Sequence, residues 1–456
     1  MQTNIILFLL FSIIVAIIMY FFPHDLKKHG FFVINVTFYI LCDIKFIALI
    51  IVGIVWSFFV AKKIAYGENN RRNYLIIAIV PLVAILFFFK YYNFFLPSEM
   101  GGLHIVMPLG ISYYTFKIIS YVVEVYWNKD RLEEDWWDYA NYIMFFPQMI
   151  CGPITRSQDI MPQMKFWGVP EDKMLVDGIQ LIVSGLFKKV VIADRLNPYV
   201  NTIWGNYTAY PFLALWLAAF FYTVQIYCDF AGYSEIVIGI CKLIGIECKA
   251  NFNLPYFAYS IKDFWSRWHI SLSSWLRDYI YIPLGGNRRG KLRKVINTLV
   301  TFGVSGIWHG NTLSYIAWGL YHGIFNCIPV KKSDNKGNGI VQVVLCFVIV
   351  MFGWILFRAE TMTDALLFVK NMFMGITINA NVIIASILPF TGDYSCMAYL
   401  LVIFLFVFVL FVFEYRELMH KDRISDREKN VKMVIYMSCI LYFGIVGQNN
   451  FLYANF

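Results

Sequence analysis

The chain has 456 residues, of which 59% are hydrophobic and 19% aromatic, and only 15% carry charge. Soluble domains run nearer to about 45–50% apolar and about 25% charged, so no water-soluble core accommodates this many Phe, Ile and Leu side chains, and the chain reads as a polytopic membrane protein. Its net charge of +9 is then a topology signal, since basic residues collect in cytoplasmic loops, and it does not point to nucleic acid.

Apolar spans of about 20 residues mark transmembrane helices. In chain order they are predicted at 3–22, 46–61, 74–89, 214–240, 341–357, 398–413 and 434–446, with shorter or interrupted apolar stretches at 31–42, 103–127, 139–152, 174–193 and 295–328. Residues 3–22 lack a basic leader and a small-residue cleavage site, so they read as a first membrane helix and not as a signal peptide. The stretch 23–61 reads as one span or two. No stretch reads as a soluble domain, and no internal repeat is visible.

Four basic loops give an orientation. They hold Lys62, Lys63, Arg71 and Arg72; Arg288, Arg289, Lys291, Arg293 and Lys294; Lys331, Lys332 and Lys336; and Arg416, Lys421, Arg423, Arg427, Lys429 and Lys432. The positive-inside rule assigns all four to the cytoplasm, with 358–394 and the C-terminal end outside. Residues 295–328 must then cross an even number of times. Two full spans with a turn need about 40 residues, so this stretch is expected to dip in and return, or to form two short halves. Irregular backbone at membrane depth persists only inside protein or along a cavity. His309, between Gly303/Gly306 and Gly310, would lie near the deepest point.

The segment 251–290 departs from its surroundings, with polar residues among aromatics at helical spacing. Phe264, Trp268, Leu272 and Trp275 share one face of an expected amphipathic helix, with Asp263 and Arg267 beside it. Such a helix lies in the interface or lines a water-filled interior. Asp229 and Glu235 interrupt a long apolar helix, either as cavity-lining carboxylates or as partners of the arginines of 251–290. Nine scattered cysteines form no CxxC, and His269 with His309 makes too small a ligand set, so no metal site is predicted. There is no HExxH, GxSxG or P-loop. His322, near Trp318 and Tyr321, reads as a packing residue. His309 is different, because an ionisable group at membrane depth tends to serve a site, and imidazole can take a proton from an attacking hydroxyl.

A series of motifs runs in order: MPLGISYYTF at 107–116, FFPQMICGPI at 145–154, QIYCDFAGYS at 225–234, NFNLPY at 251–256, FWSRWHISLS at 264–273, RDYIYIPLGG at 277–286 and WHG at 308–310. Together they resemble the membrane-bound O-acyltransferase (MBOAT) superfamily, and within it the bacterial branch of alginate O-acetylation. The resemblance implies an all-α polytopic membrane protein: a funnel of about 11 transmembrane helices plus shorter re-entrant and interfacial helices, with 1–456 as a single integral-membrane domain. It implies His309 as the catalytic residue and His269 as the second histidine. Asn253, Arg267, Trp268, Ser271, Arg277, Asp278, Trp308, Asn311 and Asp229 are the candidates for the tunnel or the donor site. Cys151 stands where the family pattern expects a small residue, and a packing role is assigned to it.

The implied reaction carries an acetyl group from a cytoplasmic thioester, acetyl-CoA or another acyl thioester, to a hydroxyl outside, with no bound cofactor. The product would be an O-acetylated surface or secreted polysaccharide, made with an extracytoplasmic SGNH-type acetyltransferase as partner in a bacterial cytoplasmic membrane. D-alanyl transfer to teichoic acid from a carrier-protein thioester is the alternative within the family. A solute transporter is the alternative outside it, disfavoured by the missing repeat.

Overall fold

The computed structural model describes residues 5–67, 69–96, 105–333, 336–390, 395–419 and 425–445; among these the regular elements are all helical, with no strand. Among the described residues five helical runs are long and apolar enough to cross a membrane: His24–Tyr66, Arg71–Phe95, Phe212–Leu243, Gly337–Arg358 and Cys396–Met419, with Ile5–Phe21 and Ala380–Phe390 apolar but shorter. The protein is therefore a multi-pass membrane protein. Length and apolarity alone do not reach the expected eleven spans, since most of the further helices have fewer than 18 residues. The 23–61 stretch resolves into two α-helices joined by the 3₁₀ turn Ile44–Phe46. The loop residues Lys421 and Arg423, and the outer C-terminal end expected beyond 446, lie outside the described residues.

Two compact units make up the chain: Met1–Ile182 with Ser234–Ala250, and Val183–Tyr233 with Asn251–Phe456. The first contains α1 (Ile5–Phe21), α2 (Lys27–Asp43), α3 (Ile47–Tyr66), α4 (Arg71–Phe95), α5 (Ile111–Trp127), α6 (Trp136–Ile143), α7 (Ser157–Lys165) and most of α8 (Asp172–Leu186). Its core pins helices together with amides: Asn35 on α2 donates to Asn141 on α6 at 3.0 Å and accepts from the Phe146 N–H at 3.0 Å. Buried polar groups must be satisfied where water is excluded, and this pair satisfies itself. Gly110, in the left-handed region (φ +68°), starts α5, and a Cβ there would stand 2.4 Å from the Met149 carbonyl oxygen.

One face of this unit is knitted by polar contacts that start at the Lys62–Arg72 loop. Tyr66 bonds Glu134, Arg71 donates to the Tyr126 carbonyl at 2.7 Å, and Arg131 bonds Gln158. Lys165 pairs with Glu133 at 2.7 Å, and Lys249 with Asp159 at 2.8 Å. The loop after α10 thus belongs to the same face as the basic α3–α4 loop.

The second unit contains the end of α8, a π-helical turn Phe187–Ala193, α9 (Asp194–Gly205) and α10 (Phe212–Leu243) through Tyr233. It continues with α11 (Ile261–Arg267), α12 (Ile270–Leu276), α13 (Gly290–His309), α14 (Leu313–Asn326), α15 (Lys336–Arg358), α16 (Met362–Met372), α17 (Ala380–Ile387), α18 (Cys396–Met419) and α19 (Asp426–Phe443). The amphipathic helix expected across 264–275 is broken: α11 ends at Arg267, and α12 begins only after His269. Its apolar face is nonetheless interior, since Phe264, Trp268, Leu272 and Trp275 are all buried.

Candidate functional site

Residues 290–326 form the helical hairpin that the charge count called for. At 1.5 Å per residue α13 is about 30 Å long, and its turn, 310–312, returns the chain into α14. Small residues bring the two backbones together. A Cβ at Gly306 would lie 2.3 Å from the Tyr315 carbonyl oxygen, one at Gly319 2.3 Å from that of Phe302, and one at Gly310 2.1 Å from the Tyr315 ring. The glycines around Trp308 and His309 therefore close the hairpin on itself.

His309 is the last residue of α13 and is 1% exposed. Three rings meet it edge to face: Trp308 at 4.6 Å, Trp318 of α14 at 4.9 Å and Phe357 of α15 at 5.3 Å. They leave the imidazole little rotational freedom. A helix C-terminus carries partial negative charge from its unpaired carbonyls, which favours a cation there, and the imidazolium formed by proton abstraction is such a cation. Trp308 is buried, and Asn311 is half-buried in the turn just beyond.

His269 owes its position to a backbone that only glycine adopts freely. It sits at φ +43°, ψ +54° between α11 and α12, a conformation costing a non-glycine residue about 1–2 kcal/mol. Strain of this kind persists where the surroundings over-determine it, and here Asn251 does. The Asn251 carbonyl accepts from the Ile270 N–H at 2.9 Å. Its side-chain oxygen accepts from the Ser271 N–H at 3.2 Å and the Ser271 hydroxyl at 2.8 Å, and faces His269 Nδ1 at 3.2 Å. A backbone N–H can only donate, so that Asn251 atom is oxygen, and Nδ1 must carry a proton to bond it. In the neutral ring Nε2 then holds the lone pair. Phe230 meets the ring edge to face at 4.7 Å.

The remaining candidates divide. Arg267 is tied to Asp263 at 2.8 Å, and the Asn253 N–H donates to the Arg267 carbonyl at 2.9 Å, so both serve the kink that places His269. Trp268 is fully buried against Trp354 at 4.8 Å; Trp354 lies 6.0 Å from Trp318, and Trp318 meets His309. This line of indoles links the two histidine motifs. Arg277 and Asp278 instead pair with each other at 2.8 Å, with the Arg277 side chain 62% exposed, so they stand apart from the buried histidines.

Asp229 does not pair with the arginines of 251–290, one of the two roles expected for it. Lys189, in the π-helical turn, takes Asp229 at 2.6 Å and Asp194 at 2.8 Å. Beside it Lys188 meets Glu414 at 3.4 Å, and Tyr227 also bonds Glu414. Sequence reading missed Lys188, Lys189 and Asn251. The signal for the lysines was there, two adjacent cations inside an apolar stretch, and Asn251 opens the NFNLPY motif, but nothing local ties it to His269. His322 packs as expected, against Trp265 at 5.2 Å and Trp318 at 5.4 Å. Among the described residues no three His, Cys, Asp or Glu stand close enough to hold a metal ion.

Comparison with known proteins gives the site its context. Residues 135–327 match the MBOAT, membrane-bound O-acyltransferase family, a region that includes His269 and His309. The chain is 34% identical over 379 residues to the peptidoglycan O-acetyltransferase of Helicobacter pylori, covering 74% of this chain and 72% of that one. It is 34% identical over 390 residues to the probable alginate O-acetylase AlgI of Pseudomonas aeruginosa, covering 82% and 74%. The teichoic acid D-alanyltransferase of Bacillus subtilis is 29% identical over 339 residues, covering 69% of this chain and 85% of that one.

Proposed function

The chain belongs to the membrane-bound O-acyltransferase family and is an acyltransferase, and from that premise we propose that it moves an acetyl group from a cytoplasmic thioester to a hydroxyl on the outer side, O-acetylating a cell-surface or secreted polysaccharide. The observation that carries the assignment of the chemistry is His309: a buried imidazole, ring-clamped on three sides, at the C-terminal end of α13.

In this reading the acceptor O–H gives its proton to His309 as the oxygen bonds to the thioester carbonyl carbon. The tetrahedral oxyanion then collapses, the C–S bond breaks, and the imidazolium returns the proton to the leaving thiolate. Asn311 and the amides near Gly310 are the nearest candidates to donate to the oxyanion. His269, its Nδ1 proton held by Asn251, presents Nε2 as a second acceptor that orients a substrate or water. The donor is acetyl-CoA, whose phosphates suit the basic stretch Asn287–Lys294, the turn before α13 and that helix's first residues. An extracytoplasmic SGNH-type transferase passes the acetyl on to the sugar, and the membrane is a bacterial cytoplasmic one. Greater identity to the O-acetyltransferases than to the D-alanyltransferase favours acetyl over D-alanyl.

The test uses purified protein in vesicles with radiolabelled acetyl-CoA inside and an SGNH-type transferase with polysaccharide acceptors outside, wild type against His309→Ala. Wild type is expected to label the acceptor, and the variant to fall by at least about a hundredfold. Undiminished transfer by His309→Ala removes the catalytic assignment. Transfer only from a D-alanyl carrier protein selects the D-alanyl reaction, and intact donor accumulating inside the vesicles selects a transporter.

A further inference from the structure

An arginine at the end of a membrane helix ordinarily carries its charge out to the headgroups, but Arg358 turns inward. It is the last residue of α15 and directly follows Phe357, whose ring meets His309 at 5.3 Å. The side chain is half-buried. Its Nη2 donates to the Asn201 side-chain oxygen at 2.7 Å, and the guanidinium stands over the Tyr222 ring at 5.8 Å. Its Nε is buried with no hydrogen-bond partner. Among the described residues no carboxylate pairs with Arg358, whereas the buried Lys188 and Lys189 each have one. Asp364 of α16 is taken instead by Tyr207 at 3.0 Å and Thr361 at 2.6 Å.

The arginine also orients a chain of amides. A guanidinium only donates, so the Asn201 atom facing it is oxygen. The Asn201 amide nitrogen then donates onward to the Asn197 side-chain oxygen at 3.1 Å. The Gln225 amide nitrogen donates to that same oxygen at 3.0 Å. Gln225 therefore ends the chain with its own side-chain oxygen, which has no hydrogen-bond partner although the residue is only 2% exposed. Gln225 lies on α10 one turn beyond Tyr222, the ring under Arg358. Helices α9, α10 and α15 thus bring together a cation without a counter-charge and a buried acceptor without a donor. Buried polar groups are rarely left so in a folded protein, and a ligand with an anion and an O–H answers both.

The guanidinium suits a carboxylate. By the positive-inside rule α15 runs from the cytoplasmic residues Lys331, Lys332 and Lys336 to an outer end at Arg358, the side from which the acceptor hydroxyl comes. We propose that Arg358 and Gln225 form an acceptor subsite for a sugar acid. Arg358 takes the carboxylate, Gln225 accepts from one hydroxyl, and another hydroxyl is left for His309 beyond Phe357. The inference rests on the outer-acceptor reading above and names the acceptor's class. The acetyl reaches such a unit at His309, and the SGNH-type transferase passes it on from there to its final sugar. A neutral sugar leaves the guanidinium unanswered, and a site built around a polar group rejects the analogue that lacks it.

The experiment places the full-length protein in vesicles with radiolabelled acetyl-CoA inside and an oligosaccharide outside. The transferase is omitted, so that only the acceptor at His309 is read. Three acceptors are compared: a glucuronate oligosaccharide, the same molecule with its carboxyls methyl-esterified, and a neutral glucose oligosaccharide. The expected result is a kcat/KM at least about tenfold higher for the uronate than for the other two. Arg358→Gln raises KM for the uronate by about 10- to 100-fold with kcat little changed, and leaves the ester as it was. Arg358→Lys keeps the charge and recovers part of the preference. Gln225→Leu raises KM for all three sugars, since the hydroxyl is common to them. Equal kcat/KM for uronate and ester in the wild type overturns the proposal, and so does a preference that survives Arg358→Gln. Label that appears only once the transferase is added overturns it as well and leaves the acetyltransferase reading standing. No label in any arm, with the transferase included, overturns the acetyl reading, and the subsite with it. The comparison of uronate with ester needs no variant, so it decides the matter even if Arg358→Gln does not fold.

Discussion

His269 Nδ1 stands 3.2 Å from the side-chain oxygen of Asn251, and the same oxygen accepts from the Ser271 N–H at 3.2 Å. One amide thus fixes both the tautomer of the imidazole and the left-handed turn that holds it. Asn251 acts through His269 and is a positioning residue.

Asn251→Ala should therefore disturb turnover more than binding. Without the acceptor, Nδ1 no longer has to carry the proton, and the turn loses two of the bonds that offset its strain. A fall in kcat of about 10- to 100-fold with KM changed by less than about threefold is expected, at unchanged yield of monodisperse protein. Asn251→Asp keeps the acceptor oxygen and should recover part of kcat. A matched loss in Asn251→Asp and Asn251→Ala would show that acceptor geometry is irrelevant.

The glycines of the α13–α14 hairpin make unequal demands, although they lie on one helix. A Cβ at Gly303 would meet nothing closer than a Leu320 methyl at 3.9 Å, whereas one at Gly306 would meet the Tyr315 carbonyl oxygen at 2.3 Å. Gly303→Ala should leave the melting temperature in detergent unchanged or raised, since alanine favours helix by up to about 1 kcal/mol. Gly306→Ala must push the helices apart, at a cost of about 1–3 kcal/mol, and should lower that temperature and the activity together. Equal melting temperatures would mean that the hairpin is not packed backbone to backbone.

His309 differs from its aromatic neighbours in what it can do. His309→Gln keeps a polar group of similar reach but cannot accept a full proton at neutral pH, so kcat should drop by about 10²–10⁴-fold with folding intact. His322→Gln, at a buried imidazole that packs against the same Trp318 at 5.4 Å, tests the contrast. It should alter stability, read as the melting temperature, more than it alters the pH dependence of kcat.

The distinction between legible and illegible features follows from locality. The hairpin at 290–326 was readable because basic residues on both flanks set a parity that the short apolar stretch had to obey. The kink at His269 was not readable. Phe264, Trp268, Leu272 and Trp275 keep helical spacing straight through it, and the break is imposed by Asn251, eighteen residues away in sequence and joined only in the fold. The partner of Asp229 was hidden for a similar reason. Charge counting offered the arginines of 251–290, but the π-helical turn brings Lys189 to it from the other direction in the chain. Periodicity and charge parity are properties of one segment, and pairing is a property of two.

That pairing carries a prediction of its own. Lys189 is 2% exposed and stands between two buried carboxylates, Asp229 and Asp194. Lys189→Met removes the cation that both carboxylates share, and breaking a buried ion pair costs about 3–5 kcal/mol. Asp229→Asn removes one carboxylate while Lys189 keeps Asp194, so its cost should be clearly smaller. The double variant Lys189→Met/Asp229→Asn leaves a single carboxylate unpaired and should be more stable than Lys189→Met alone. Melting temperatures of the three variants in one detergent check the order. If the double variant is the least stable, the two carboxylates do not share Lys189 as a common counter-ion, and the contact between α10 and the π-helical turn owes its stability to packing instead.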